Sequence, residues 1–347
     1  MSAAARKLVI DLRAKATIWR IPERVEQEIV ASAPPGWRVE VVQTDTTSDG
    51  DGGHPPTPEA LAAIGDAEVY FGYGISRPLF LGAKRLRWVH TSTAGVGSAL
   101  FDELCASDVV LTNSAGVHAI PMAEYVLAGL LHFWRGLDLT SEQQRAKHWD
   151  RAPFVAGDTP VREIGENTVV IVGTGGIGGE VATRLTALGA TCVGLRRRPE
   201  LGAPAGFSRV AGLAAIDELL PKADALVLCA PLTEHTRGLI TAARLDRLPR
   251  HAVIVNVARG ALLDEQALGV RLSAGALRGA ALDVFQREPL ASESPLWQIR
   301  RALVTPHISA VTPRRFWDRE ATLFRDNWKR YVAGQPLRNL VNKDAGY

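Results

Sequence analysis

Three side chains that could act together on a carbonyl compound follow separate strand-like segments in the second half of the chain. They are Arg259 in NVARGALLDE, Glu288 in DVFQREPL and His307 in VTPHISA. A guanidinium can bind the carboxylate and carbonyl of a 2-oxo acid, a histidine can give or take a proton, and a carboxylate can orient the imidazole. Each residue also has a simpler interpretation: a loop cation, an acid that opens a helix, and a buried histidine with satisfied hydrogen bonds.

A glycine-rich turn precedes these residues and predicts a nucleotide site. The strand-like run from Thr168 to Val172 leads into Gly173-Thr174-Gly175-Gly176-Ile177-Gly178, and the helical segment GEVATRLTALG follows. In a G-x-G-x-x-G turn the first glycine permits the tight turn, the second lets the backbone approach a pyrophosphate, and the third lets the helix pack on the strand. The alternative is a glycine-rich turn in an unrelated α/β fold.

The end of the next strand should carry an acid that binds the ribose hydroxyls of NAD. Here the segment TCVGL ends in Arg196, Arg197 and Arg198 instead. An arginine cannot accept a hydrogen bond from a ribose hydroxyl, but its planar fork suits a 2′-phosphate. The residues therefore favour NADP over NAD, with a solvated basic turn as the alternative.

The elements that must position these residues read as an α/β protein with two parallel sheets. In the first third, KLVIDL, RVEVVQ, AEVYFGYG and LRWVHTST alternate with helical segments at about residues 22–33 and 58–64; residues 44–57 read as a loop. A long helix is predicted from Pro121 through HW at 148–149. Six strand-like runs follow, without polar alternation, as expected of strands buried on both faces. They are TVVIVG, ATCVGL, ALVLCA, AVIVNV, GAALDV and ALVTPH, and a last helix is predicted at about residues 313–331.

Composition fits a two-domain globular protein of 347 residues. Apolar residues make up 46% and charged residues 22%, and the net charge is +3, so a nucleic-acid partner is not indicated. Cys105, Cys192 and Cys229 are far apart, which argues against a disulfide framework, and no metal-ligand spacing is visible. With no signal peptide or membrane span recognisable, we expect a cytoplasmic protein that binds no membrane.

The order of these motifs resembles the D-isomer-specific 2-hydroxyacid dehydrogenases, the family that contains glyoxylate/hydroxypyruvate reductases, phosphoglycerate dehydrogenases and formate dehydrogenases. The resemblance extends from about Ala67 to Arg325. The motifs that carry it are TAGVG at Thr93–Gly97, NSAGVHAIPMAEYVL at Asn113–Leu127, GTGGIG at Gly173–Gly178, APLTEHTRGLI at Ala230–Ile240, NVARGALLDEQAL at Asn256–Leu268, ALDVFQREPL at Ala281–Leu290 and TPHISA at Thr305–Ala310.

The resemblance implies roles for individual positions. Arg259 matches the family's substrate-binding arginine. Glu288 matches the family's acid partner, and His307 matches its proton donor and acceptor. The positions implied for cofactor binding are the glycines Gly173, Gly175, Gly176 and Gly178 with Ile177, the basic pair Arg196 and Arg197, and Ala230, Pro231, Val257, Asp283 and Ala310. Of these, Asp283 would hold the nicotinamide carboxamide. Ala94 and Gly95 match a backbone loop whose N–H groups bind the substrate carboxylate, as adjacent N–H groups in a turn can.

Two positions depart from the commonest family pattern. Arg196 stands where NAD-dependent members carry Asp, which is similar to the members that use NADP, and Gly97 stands where many members carry Asp. Tyr73 is a candidate wall of the substrate pocket, although an aromatic residue there is more often ordinary core. Trp134 and Trp149 flank the end of the predicted long helix, where family members exchange an arm between subunits. The resemblance therefore implies a homodimer, with simple packing of Trp against a helix as the alternative.

The resemblance therefore implies two Rossmann-like domains. A flavodoxin-like substrate domain would hold residues 1–118 and 312–347, and a dinucleotide-binding domain would hold residues 119–311. The implied activity is hydride transfer between NADPH, or NADH, and a small 2-oxo acid. The alternative is a nucleotide-sensing interaction protein on the same fold, like the corepressors that resemble this family. A relative that acts on formate or phosphite is a third, less favoured hypothesis.

Overall fold

The computed structural model describes residues 5–46 and 55–346. The chain divides into two compact units, one formed by Met1–Val117 with Thr312–Tyr347 and the other by His118–Val311. Most of the loop predicted at residues 44–57 lies outside the described residues.

Strands and helices alternate along both units. The strands are β1 (Arg6–Asp11), β2 (Trp37–Val41), β3 (Val69–Gly72), β4 (Trp88–Thr91), β5 (Val110–Asn113), β6 (Thr168–Val172), β7 (Thr191–Arg196), β8 (Arg209–Gly212), β9 (Ala225–Leu228), β10 (Val253–Asn256), β11 (Gly279–Leu282) and β12 (Ala302–Val304). The helices are α1 (Glu23–Ala31), α2 (Pro58–Ile64), α3 (Arg77–Gly82), α4 (Asp102–Cys105), α5 (Ala119–Trp134), α6 (Leu137–Ala146), α7 (Ala152–Val155), α8 (Gly176–Ala187), α9 (Ile216–Leu219), α10 (Ala242–Leu245), α11 (Glu265–Ser273) and α12 (Phe316–Val332).

The first unit is a five-stranded parallel sheet in the order β2-β1-β3-β4-β5. Strands β3 and β4 are buried along their whole length, although β4 contains the polar residues His90 and Thr91. Helix α12 completes the core on one face with aromatic side chains, and the rings of Phe71 and Phe324 stack with centroids 4.0 Å apart. The strand order is that of flavodoxin-like folds, as expected.

The second unit is a seven-stranded parallel sheet in the order β12-β11-β10-β9-β6-β7-β8. Alternate residues of one strand supply opposite cores: Val253 and Val255 pack on the face that carries α5 and α8, whereas Ile254 packs on the face that carries α9 to α11. Because β6 lies between β7 and β9, the strand order reverses there, which is where ligands bind in open α/β sheets. The two parallel sheets confirm the predicted fold class.

The single long helix predicted from Pro121 is wrong. The chain forms α5, then turns at Gly136, whose φ of +68° favours glycine, and continues as α6 and the short α7. A buried ion pair holds the turn, since both Arg278 guanidinium nitrogens that face Asp138 donate to its carboxylate at 2.7 Å. Sequence patterning also missed β5 and the short edge strand β8, which is only partly buried.

Candidate functional site

The glycine turn after β6 has the geometry of a phosphate-binding loop. Gly173 has a φ of +101°, and α8 begins at Gly176. A Cβ on Gly178 would lie 1.9 Å from the carbonyl oxygen of Gly173, so only glycine lets the helix start this close to the strand. A Cβ on Gly175 would meet no described atom within 4 Å, which leaves room in front of the helix N-terminus. These residues fit the pyrophosphate of a dinucleotide.

The other positions expected at the cofactor lie in the first turn of α8 or in the segments that follow strands β9 to β12. Ala230 follows β9 and passes so close to Gly173 that a Cβ on that glycine would lie 2.8 Å from the Ala230 nitrogen. Ile177 lies in the first turn of α8, and Val257 is buried directly after β10. The carbonyl oxygen of Ala310 is hydrogen-bonded to Nδ1 of His118 at 3.1 Å.

Basic side chains replace the expected acid at the end of β7. Arg196 is half-buried, and its Nη1 donates to the carbonyl oxygen of Gly202 at 3.4 Å. Among the described residues, no carboxylate forms an ion pair with the Arg196 guanidinium. Arg197 and Arg198 are exposed. This strand end therefore presents positive charge that suits a phosphate, and its residues Arg196, Arg197 and Arg198 include no carboxylate.

His307 and Glu288 form a hydrogen-bonded pair. Nδ1 of His307 lies 2.8 Å from Oε2 of Glu288, and Oε1 of that carboxylate accepts from the backbone N–H of Phe285 at 2.9 Å. An ionised carboxylate only accepts, so Nδ1 carries a proton and Nε2 is left to exchange one. Nε2 donates to no described residue. The pair has the geometry of a general acid or base held by an orienting carboxylate.

A buried aspartate fixes the loop that carries His307. Asp283 follows β11 and is fully buried. Its carboxylate accepts from the hydroxyl of Thr305 at 2.6 Å and from the backbone N–H groups of Ile308 and Ser309, each at 2.8 Å. The backbone N–H of His307 donates to the Asp283 carbonyl at 3.0 Å, and the loop places His307 at a φ of +54°. The observed role of Asp283 is thus to anchor this loop; its contact with a carboxamide stays a prediction.

A tyrosine adds a further hydrogen bond to Thr305. The Tyr125 hydroxyl lies 2.7 Å from Oγ1 of Thr305. Because the single proton of Thr305 goes to Asp283, Tyr125 is the donor to Thr305. The pKa of Tyr125 is raised to about 12, chiefly by burial; the hydrogen bond with Thr305 lowers it and the charge of Asp283 raises it. Tyr125 therefore stays protonated over the physiological pH range and keeps donating.

Arg259 follows β10, at the same carboxyl edge of the sheet as Glu288 and His307. Its side chain is exposed, and Nη1 donates to the carbonyl oxygen of Ala258 at 2.7 Å. Two residues that the sequence reasoning missed position this loop. Asn256 donates from Nδ2 to the Arg259 carbonyl at 3.2 Å, and a Cβ on Gly260 would lie 1.9 Å from the carbonyl carbon of Phe285. Gly260 thus lets the backbones of the Arg259 and Glu288 loops pack directly against each other. The sequence signal that could have identified this glycine is its position next to Arg259.

The remaining candidates lie in the first unit. Ala94 and Gly95 are exposed in the loop after β4. Tyr73, the candidate pocket wall, is fully buried in the core, where burial raises its pKa well above the ordinary value. Its burial agrees with the alternative interpretation, ordinary core. Among residues 5–46 and 55–346, no group of three or more His, Cys, Asp or Glu side chains has metal-binding geometry, and no helix is long and apolar enough to span a bilayer.

The chain is similar to known proteins of one family. A family model for the D-isomer specific 2-hydroxyacid dehydrogenase NAD binding domain matches residues 127–309. D-3-phosphoglycerate dehydrogenase of Mycobacterium leprae (strain TN) is 32% identical over 331 residues, which are 94% of this chain and 59% of that protein. This chain therefore spans little more than half the length of that relative.

Two further relatives match over nearly their whole length. Glyoxylate/hydroxypyruvate reductase B of Yersinia pestis (strain Pestoides F) is 30% identical over 315 residues, 90% of this chain and 95% of the relative. The crystal structure of a D-isomer specific 2-hydroxyacid dehydrogenase from Xanthobacter autotrophicus Py2 in complex with NADPH and MES is 31% identical, with a TM-score of 0.78 over 99% of this chain and 100% of that one. The resemblance predicted from the motifs is thereby confirmed, and the chain belongs to the D-isomer specific 2-hydroxyacid dehydrogenase family.

Proposed function

We propose that this protein is an NADP-preferring D-2-hydroxyacid dehydrogenase that mainly reduces a small 2-oxo acid. The observation that carries the proposal is the 2.8 Å pair between His307 and Glu288, at the carboxyl edge of a sheet whose β6–α8 turn fits a dinucleotide. In this proposal the second unit is the dinucleotide-binding domain and the first is the substrate domain, whose loop at Ala94 and Gly95 binds the substrate carboxylate.

The side chains of this chain divide the work of the reduction. When bound, a reduced nicotinamide supplies the hydride. His307 delivers the proton from Nε2 to the substrate oxygen, and Glu288 holds the ring and stabilises it while it is charged. Arg259 binds the substrate and stabilises the negative charge that develops on that oxygen. Asp283 keeps the His307 loop in place.

The preference for NADP rests on Arg196. Its guanidinium has no competing carboxylate among the described residues, and a 2′-phosphate offers oxygens for a bidentate, charge-assisted contact. Arg197, next along the chain, adds a second cation. An adenosine ribose without that phosphate would meet the side chains of Arg196, Arg197 and Arg198, which are hydrogen-bond donors only.

We further propose that the enzyme is a cytoplasmic homodimer. The segment that contains α6 and α7 presents large apolar side chains to solvent: Leu137, Val155 and Trp149, the last 90% exposed. Exposed apolar side chains clustered in one segment are typical of an interface. Light scattering on the purified chain would give twice the monomer mass, whereas Trp149→Ser should shift the mass toward the monomer.

The experiment that tests the activity is the loss of NADPH absorbance, with NADH in parallel, across glyoxylate, hydroxypyruvate, pyruvate, phenylpyruvate and branched 2-oxo acids. We expect oxidation of NADPH with at least one of them and slower oxidation of NADH. His307→Asn keeps a similar size and should abolish turnover while NADPH still binds. Cofactor binding without turnover of any 2-oxo acid would contradict the proposal and favour a nucleotide-sensing protein.

A further inference from the structure

The loop after β4 holds its carbonyl groups inward and leaves its N–H groups without an acceptor among the described residues. Each of the four consecutive carbonyl oxygens in the range 93–96 accepts a hydrogen bond from inside the first unit. The donors, in order, are the Ser114 N–H at 3.0 Å, Nδ2 of Asn113 at 2.8 Å, Oγ1 of Thr93 at 2.8 Å and the Ala99 N–H at 2.9 Å. The N–H groups on the opposite side of these four peptide groups, at positions 94–97, donate to no described residue.

The geometry of the peptide group determines the direction in which these N–H groups point. In a planar trans peptide the N–H points away from the C=O of the same group. Holding the Ala94 carbonyl on Asn113 therefore directs the Gly95 N–H away from Asn113. Holding the Gly95 carbonyl on the Thr93 hydroxyl directs the Val96 N–H away in the same manner. Backbone N–H groups need an acceptor, and a row of them favours an anion.

We propose that Asn113 and Thr93 are positioning residues that fix this loop so that its N–H groups receive the carboxylate of the substrate. The inference rests on the proposed function, which places the substrate carboxylate at Ala94 and Gly95. Neither side chain needs to touch the substrate, because each acts on a carbonyl oxygen. If either bond is lost, the corresponding peptide group can rotate and present its carbonyl oxygen, which repels an anion.

Asn113 is itself fixed from the end of the chain. Its backbone N–H donates to the Asn339 carbonyl at 3.1 Å, and Nδ2 of Asn339 donates back to the Asn113 carbonyl at 3.1 Å. Oδ1 of Asn113 also accepts from the Ala115 N–H at 3.2 Å. Because Oδ1 is occupied by that donor, the amide is oriented with Nδ2 toward Ala94. The C-terminal segment thus contributes indirectly to the proposed carboxylate site.

The chain offers a matched control for Thr93. Its hydroxyl lies 2.8 Å from that of Thr91, and a hydroxyl donates only one proton. Since the Thr93 proton goes to the Gly95 carbonyl, Thr91 is the donor of the pair. Thr91→Val therefore removes a buried hydroxyl of the same kind and leaves the bond to the loop intact, whereas Thr93→Val breaks that bond.

The test compares Thr93→Val, Asn113→Leu and Thr91→Val in the full-length protein with NADPH present. Oxamate serves as an unreactive carboxylate probe. For Thr93→Val and Asn113→Leu we expect the KM for glyoxylate and the Ki of oxamate to rise roughly 10- to 100-fold, the worth of a hydrogen bond to a charged group. The Kd for NADPH should not change, and kcat should change much less than KM. Thr93→Ser should restore the KM, because it restores the hydroxyl.

A second readout does not depend on turnover. Adding oxamate should shift the amide resonances of Gly95 and Val96 in the wild type and in Thr91→Val but not in Thr93→Val. If Thr93→Val and Asn113→Leu match Thr91→Val in both Ki and amide shifts, the positioning role is overturned; the absence of any shift in the wild type overturns it too. A wild type that reduces no 2-oxo acid but shows the expected shifts would refute the proposed function alone.

Discussion

Replacing Gly178 by alanine tests whether the dinucleotide turn depends on a close approach of helix and strand. The new Cβ would lie 1.9 Å from the Gly173 carbonyl oxygen and 3.2 Å from Sγ of Cys229. Ordinary van der Waals contact begins at 3.4 Å, so one backbone must move by about 1.5 Å. The closest contact is with backbone, which cannot move aside as the end of a flexible side chain can. We therefore expect the upper part of the overpacking range, about 3 kcal/mol of lost unfolding free energy.

Scanning calorimetry measures this cost, with Gly179→Ala as the control. For a unit of about 190 residues, a 3 kcal/mol loss lowers Tm by roughly 6 to 12 °C. A Cβ on Gly179 would meet nothing within 4 Å, and alanine is the better helix former, so that variant should gain up to about 1 kcal/mol. Affinity for NADPH should fall in Gly178→Ala only. A Gly178→Ala protein with the Tm and NADPH affinity of the wild type would refute the close-approach reasoning.

Three further predictions follow from the same unit. Glu288→Gln keeps the shape of the acid but cannot stabilise a charged His307, so kcat for glyoxylate should fall roughly 10²- to 10⁴-fold at unchanged NADPH affinity; an unaltered kcat would exclude the pair from catalysis. Arg196→Ser should raise the KM for NADPH roughly 10- to 100-fold and leave the KM for NADH nearly unchanged, whereas equal effects on both would show a solvated turn. Burial raises the pKa of the Cys229 thiol to about 12, so the unfolded chain ionises first as pH rises and stability falls above the ordinary thiol pKa of about 8.5. The free energy of unfolding, measured in urea, should therefore fall by about 1 to 2 kcal/mol less in Cys229→Ala than in the wild type between about pH 8 and pH 10. Equal falls in the two proteins would show that the thiol is in contact with water.

Much of the fold could be predicted because the apolar runs in the sequence coincide with the buried strands. Strands β6, β9 and β10 are short apolar runs, and each packs against helices on both faces. The break after α5 could not be predicted this way. Gly136 lies between two good helical segments, and what makes it a turn is its left-handed conformation and the ion pair between Asp138 and Arg278. That partner lies 140 residues along the chain.

The candidate site, like the fold, could be predicted only in part from the sequence. Arg259, Glu288 and His307 could be identified because each follows a strand of one parallel sheet, and such strands end at a common edge. The contacts that hold them could not. From the sequence alone, the Asp283 carboxylate could equally have faced a ligand. Only the structure shows that it accepts three hydrogen bonds from the His307 loop. The role of Asn113 likewise depends on a side-chain orientation that no sequence pattern encodes.

The discontinuity of the first unit has a consequence for how the chain folds during synthesis. Phe71 and Phe324 stack in one core although 253 residues separate them, and α12 supplies several of that core's largest side chains. The second unit, by contrast, is one continuous stretch. Domains fold as units as they emerge from the ribosome, so the inserted unit can form its sheet while the sheet begun before it still lacks its closing helix. For that interval the nascent chain exposes the aromatic face of β3 and β4, the period in which chaperone binding would matter most.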